Sequence, residues 1–504
     1  MRLGEFPWGK PIGPALKPYP SFHAVWRLFT MFLNFKSHLR LIPLFLLPLT
    51  NVLASEDSDE TGPVSYYEQV RPIFQAHCQG CHQPAKRGGD YVMTNFEMLM
   101  QQGESGSPSI VPGQPEESYL MGQILITDGV AEMPKNKPPL ATEEIDLVRR
   151  WIAEGAKNDT PKTATTRFDS DNPPVYRSLP VVTSIAFSPD GEHLAVSGYH
   201  EVLLHRLVPP TEEDNAWTTT SAGRMIGISE RIESIRFSPS GKHLAVACGS
   251  PGRFGEIQIW DTESRELLLS KIVGFDTLYG ASWSSDEKLL AFGCPDNTIR
   301  AIDPLTGEQK LFNGAHDDWV LDTIFSVNND HLISVSRDRS MKLVNVATER
   351  FIDNITSITP GALKGGLNAV DRHPEQDQLL AGGADGVPKI YKMVREKARK
   401  IGDDFNLIRA FPKVEGRIMD VSFSPDGQHI AVCSSVNGKG VLQSYKTEDG
   451  STVYTVPSAT SGLYALDYSP DGQRIAVSGF DGMIRLYQAS DGKTLLEFPS
   501  APLE

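Results

Sequence analysis

The residues best suited to chemistry form one short run, His77-Cys78-Gln79-Gly80-Cys81-His82, in which two thiols stand three residues apart and an imidazole follows the second. On a helical turn this spacing brings both thiols near one face. Each can then add to one vinyl group of a protoporphyrin while His82 turns a ring nitrogen toward the iron. A C-x-x-C pair also serves zinc sites and thioredoxin-like redox centres. A zinc site wants a second Cys or His pair nearby, and no other cysteine occurs before Cys248. A thioredoxin-like pair wants a βαβ setting. The chemistry that fits best is one covalent haem c, with thioethers at Cys78 and Cys81 and an axial ligand at His82.

A second axial ligand is sought downstream. Met133 precedes Pro134, which keeps it out of a helix and in a constrained loop from which a thioether sulfur can approach iron opposite His82. Such a ligand favours ferrous iron and raises the potential relative to a second histidine. Met93, Met98, Met100 and Met121 read instead as core fillers.

These residues need elements to position them. Tyr67, Val70, Ile73, Phe74 and Cys78 recur at helical spacing, and Pro72 either kinks that helix or marks its effective start. Short helices are expected at 96–101 and 118–124 among many turn signals. Thr142 is placed to cap a closing helix with Glu143 and Glu144 in its first turn, Ile145, Val148, Trp151 and Ile152 on its buried face, and Gly155 at its end. The blocks Val70-Arg71-Pro72-Ile73-Phe74, Cys78 to His82, Ile110-Val111-Pro112-Gly113, Met133-Pro134 and Trp151-Ile152-Ala153-Glu154-Gly155-Ala156 together resemble the planctomycete-type cytochrome c domain. The resemblance implies haem c with His and Met axial ligands, carried here by His82 and Met133.

Beyond a linker at 161–175 the sequence repeats itself. Aligning the residue before each turn gives Phe187, Phe237, Trp283, Phe325, Arg372, Phe423 and Tyr468, at intervals of 42 to 51 residues. Four of these precede Ser-Pro-(Asp/Ser)-Gly, a tight turn between two strands. Seven copies resemble the blades of a WD-repeat propeller, in which four-stranded units pack radially because one blade cannot cover both its apolar faces. The fold class is thus multidomain: a small all-α cytochrome domain over 62–160, then an all-β seven-bladed propeller over 176–504. Thirteen residues after the aligned position stand His200, Asp296, Asp338, Asp385 and Asp481. They read as turn-fixing residues and not as a ring of metal ligands. His316 and the pair Trp260-Asp261 are structural signature residues by the same resemblance. Cys248, Cys294 and Cys433 read as small core residues.

The 504 residues carry a formal net charge of −15. Residues 1–54 hold six basic groups and one acid, so the remainder carries −20. That balance disfavours nucleic acid and suits partners with basic surfaces. Residues 1–54 also read as an export signal, with Lys36 and Arg40 before the apolar run 41–53 and Met31 as an alternative start that gives a signal of ordinary length. Export to the periplasm agrees with haem attachment outside the bacterial cytoplasm; an uncleaved signal would leave the protein at the membrane. The function expected is single-electron transfer, with the propeller docking a redox partner. The alternatives are a redox enzyme with an additional propeller-bound cofactor and a haem-sensing scaffold.

Overall fold

The computed structural model describes residues 62–504 apart from 84–85, 128, 162–167, 213, 360, 362–363, 399, 403, 405 and 459, and Gly62–Glu504 forms one compact unit. The expected export signal and the Met31 start lie outside the described residues. Among the described residues no helix is long and apolar enough to cross a membrane.

The N-terminal region is helical. A π-type turn at Tyr66–Val70 runs into α1 (Arg71–His77), so Pro72 sits in the first turn of a helix, where its missing N–H costs nothing. Then come α2 (Phe96–Leu99), α3 (Tyr119–Ile124) and α4 (Thr142–Ala153). The last differs from expectation at its start. Thr142 is the first helical residue and not the cap; Glu144 reaches back and accepts a hydrogen bond from the Ala141 N–H at 2.9 Å. Ile145, Val148, Trp151 and Ile152 do bury, and Gly155 leaves the helix at φ +101°, a backbone only glycine adopts freely. Trp151 stacks on Tyr66 at 5.4 Å and packs edge-on to Phe74 at 6.3 Å, joining the first and last helical segments in one core. The ends of the region are tied as well. The Val64 N–H donates to Glu154 at 2.6 Å and the Tyr67 N–H to Asp159 at 2.9 Å.

The rest is seven four-stranded antiparallel sheets, each built from consecutive strands in sequence order. The seven aligned residues Phe187, Phe237, Trp283, Phe325, Arg372, Phe423 and Tyr468 each end the first strand of a blade. The Ser-Pro turn explains its own composition. Ser188 Oγ accepts from the His193 N–H at 2.9 Å, and Ser424 Oγ does the same for His429. Gly191, Gly241, Gly427 and Gly472 all adopt φ near +70°, from +69° to +73°. Two of the three less recognisable blades keep that backbone with other residues: Glu287 (φ +58°) and Asn329 (φ +60°) occupy the same slot.

Side chains on the first strands link blade to blade. Ser184 Oγ accepts from the Ile235 N–H and Ser234 Oγ from the Ala281 N–H, each at 3.0 Å. Asp322, Asp371 and Asp420 accept from Val370, Phe423 and Leu466 at 2.9, 2.7 and 3.0 Å. Asp467 closes the ring by accepting from the Phe187 N–H at 2.8 Å. A strap reinforces the closure: Tyr176 bridges Leu503, and its hydroxyl donates at 2.7 Å to Glu201, a fully buried carboxylate that also pairs with Arg224.

Candidate functional site

The Cys-rich run is shaped by the end of α1. The Cys78 N–H donates to Phe74 O at 2.9 Å, and the Cys81 and His82 N–H groups both turn back to Cys78 O at 3.1 Å. His82–Gln83 then pairs with Lys86–Arg87 in a two-residue antiparallel ladder. Gly88 and Met93 hold the loop by donating their N–H groups to Cys81 O and His82 O at 3.0 and 2.9 Å. Any side chain at Gly88 would press on this loop, since a Cβ there would lie 3.1 Å from Cys81 O and 3.4 Å from the His82 ring. On the other side, the Met133 N–H donates to Gln123 O at 2.8 Å, fastening the Met133-Pro134 loop to the end of α3.

The consequence is convergence. Cys78, Cys81, His82 and Met133, 55 residues apart at the extremes, line one cavity of about 510 Å³, within the usual range for a cofactor site. Both thiols are free, Cys78 half-buried and Cys81 exposed. Burial, with smaller contributions from Glu144 and Cys81, pushes the Cys78 thiol up to about 12. The His82 Nδ1 is buried without a hydrogen-bond partner, so that nitrogen is held by no structural hydrogen bond. Leu120, Ile124 and Leu140 supply apolar wall, and Lys135 and Lys137 supply cationic groups suited to a haem's carboxylates. The donor set, the unpartnered imidazole nitrogen and the cavity fit a haem.

The other methionines separate clearly. Met121 is core and does not line the cavity, and Met100 packs on the core. Met93 is both 2% exposed in the core and part of the cavity wall. Met98 is half-buried and stands outside the core cluster, so it is not the filler expected.

In the propeller, the residues thirteen places after each aligned position fix turns. Asp296, Asp338, Asp385 and Asp481 each accept the N–H two residues on, and each pairs with a cation four residues on: Arg300, Lys342, Lys389 and Arg485. His200 takes the turn backbone itself, at φ +64°. His316 bridges Asp338 and Ser334, each at 2.8 Å. Among the described residues no group of three or more His, Cys, Asp or Glu side chains is arranged to hold a metal ion. Cys248, Cys294 and Cys433 are buried.

One cluster escaped the sequence reading. Arg236 on blade 2 feels Asp322, Asp420, Asp467 and Asp371 from blades 4, 6, 7 and 5, which only a position at the propeller axis permits. Burial raises all four carboxyls and Arg236 opposes it, leaving Asp322 and Asp467 at about 7 and Asp420 at about 6. The signal was a recurrence of Asp at intervals of 49, 49 and 47 residues, three places before the aligned position in blades 4 and 6 and one place before it in blades 5 and 7.

The family model for planctomycete cytochrome C matches residues 78–137, which include every residue proposed to hold the haem. That for the WD domain, G-beta repeat, matches residues 177–201, 308–345, 406–439 and 450–488. The chain joins a planctomycete-type cytochrome c domain to a seven-bladed WD-repeat β-propeller. Helix α4 lies beyond the cytochrome match but completes the same core, and the unmatched stretch 202–307 still folds as blade. Among curated proteins, the chain is similar to eukaryotic translation initiation factor 3 subunit I of Aspergillus niger, 30% identical over 105 residues, covering 20% of this chain and 29% of that protein. The same subunit of Coccidioides immitis is 26% identical over 151 residues, covering 24% of this chain and 43% of that protein. The chain thus spans less than half the length of these relatives.

Proposed function

We propose that this protein is an exported single-electron carrier in which Cys78 and Cys81 tether one haem c, His82 and Met133 ligate its iron, and the propeller docks the redox partner. The observation that carries this reading is the convergence of those four side chains on one cavity. A haem bound there supplies a one-electron ferric/ferrous couple. The chain's own residues do the rest. The ladder at His82–Gln83 and the Gly88 and Met93 hydrogen bonds hold the imidazole's loop, and the apolar wall limits water at the iron. The Met133 thioether offers a soft ligand that favours the reduced state. The axial cluster of the propeller, each carboxylate bonded to a neighbouring blade, is accounted for by ring closure, which favours a docking role for that domain over a catalytic one. The net charge of −20 beyond residue 54 suits a partner with a basic surface.

The test is to export the chain with a haem-attachment system and titrate it electrochemically. One haem per chain with a reversible one-electron wave, and electron exchange with a basic redox protein that slows as salt is added, is the expected result. Substrate turnover, or a second chromophore bound to the propeller, would move the reading to the enzyme.

A further inference from the structure

The second and third strands of blade 2, His243–Ser250 and Phe254–Asp261, are eight residues each, whereas their counterparts in blade 3 are four. The extra length lifts a hairpin whose tip is Pro251-Gly252-Arg253. Its stem is held firmly. Side chains at Gly249 and Gly255 would collide with Thr277 and Asp276 of the adjoining segment, so the two backbones lie in direct contact. Arg253 braces the tip by pairing with Glu230 at 3.0 Å. Against this tip lies Gln83, the residue after His82. With its amide nitrogen facing the hairpin, Gln83 donates to Gly252 O at 2.8 Å and to Arg253 O at 3.2 Å. It is 4% exposed, an unusual burial for a glutamine unless both of its polar ends are engaged.

The apolar core of the haem domain contains no propeller residue. The polar contact of Gln83 with the hairpin joins the two regions outside that core. We propose that the blade-2 hairpin is a docking post for the haem-ligand loop, and that Gln83 is the positioning residue that fixes the haem domain on the propeller. A partner held by the propeller then meets the haem at a set distance, while the register of the His82 loop is read directly by the propeller backbone. The docking stands on its own geometry, whether or not the partner reading above holds.

The experiment uses the full-length holoprotein with nitroxides at Gln101→Cys and Ser490→Cys, both exposed, one on each domain. Cys248, Cys294 and Cys433 are buried and do not compete for label. Pulsed dipolar spectroscopy should give one narrow distance for the otherwise native chain. Gln83→Glu keeps the shape but turns a donor into an acceptor facing two carbonyls. It should raise the undocked population about tenfold or more, broadening the distribution, with Gln83→Ala close behind. The Soret band and helix content should stay as in the native chain, which separates undocking from unfolding. A broad distribution in the native chain, or a narrow unchanged one in both variants, overturns the proposal. Loss of the Soret band with the distance unchanged does so too, because it makes Gln83 a support for haem attachment only.

Discussion

Replacing Arg236 by Met removes the guanidinium that faces four axial carboxyls while keeping most of its apolar length. The structure sets the scale of the response. Asp322, Asp420 and Asp467 stand at about 7, 6 and 7 even with Arg236 present, against about 4 for a free aspartate. Because these folded-state values lie above the unfolded ones, each group contributes stability that is complete below pH ~4 and lost as pH rises through its folded value. Near pH 5 the three hold their protons in the native state and need little from Arg236. Near pH 8 they must ionise inside the ring, and losing the buried Arg236 charge that they feel costs at most the about 3–5 kcal/mol of a broken buried pair. The cost of Arg236→Met should thus be small, about 1 kcal/mol, at pH 5 and approach that upper figure at pH 8. For a domain of this size that means a loss in Tm on the order of 10 °C at the higher pH. Urea and thermal melts of native and variant chains at pH 5, 6.5 and 8 measure it, and taking the difference cancels every other titrating group. A cost that is equal at pH 5 and 8, or larger at pH 5, would refute an axial charge cluster governed by burial.

Three further outcomes concern the haem and the partner. Cys78→Ser should still take up haem through Cys81, but its alkaline pyridine spectrum should shift toward that of one unsaturated vinyl; an unchanged spectrum would remove Cys78 from the site. Met133→Ala should keep covalent haem, lower the reduction potential and abolish the weak far-red band of ferric iron bound by thioether sulfur. If Met93→Ala does this and Met133→Ala does not, the ligand is the other methionine on the cavity wall. Affinity for a basic redox partner should reside in residues 170–504 and fall as ionic strength rises from 0.01 to 0.15 M, over which the screening length drops from ~30 to ~8 Å; binding insensitive to salt would contradict electrostatic docking.

Much of this molecule was open to a reader of the sequence, for a physical reason. Haem attachment needs its two thiols and its imidazole within five consecutive residues, so that part of the site is local and survives as a motif at Cys78–His82. The blades are local as well. Each Ser-Pro turn needs a hydroxyl acceptor and a glycine at φ near +70°, and the need repeats with the blade. Where those residues change, as at Glu287 and Asn329, the motif fades while the backbone persists. Met133 stood out as a candidate through its Pro134 neighbour and the family resemblance, and its loop is fastened to α3 by the hydrogen bond its N–H donates to Gln123 O. Thr142 was misassigned because a cap is decided by backbone dihedrals and by which carboxylate reaches back, here Glu144 to Ala141. Two features belong to the tertiary structure alone. Arg236 meets Asp322, Asp371, Asp420 and Asp467 only because closing the ring brings residues 86 to 231 positions apart to one axis. Gln83 meets Gly252 and Arg253 only because an eight-residue strand pair lifts a hairpin to the loop beside His82. Contacts between distant segments depend on the packing of whole blades and domains, and no spacing along the chain encodes them.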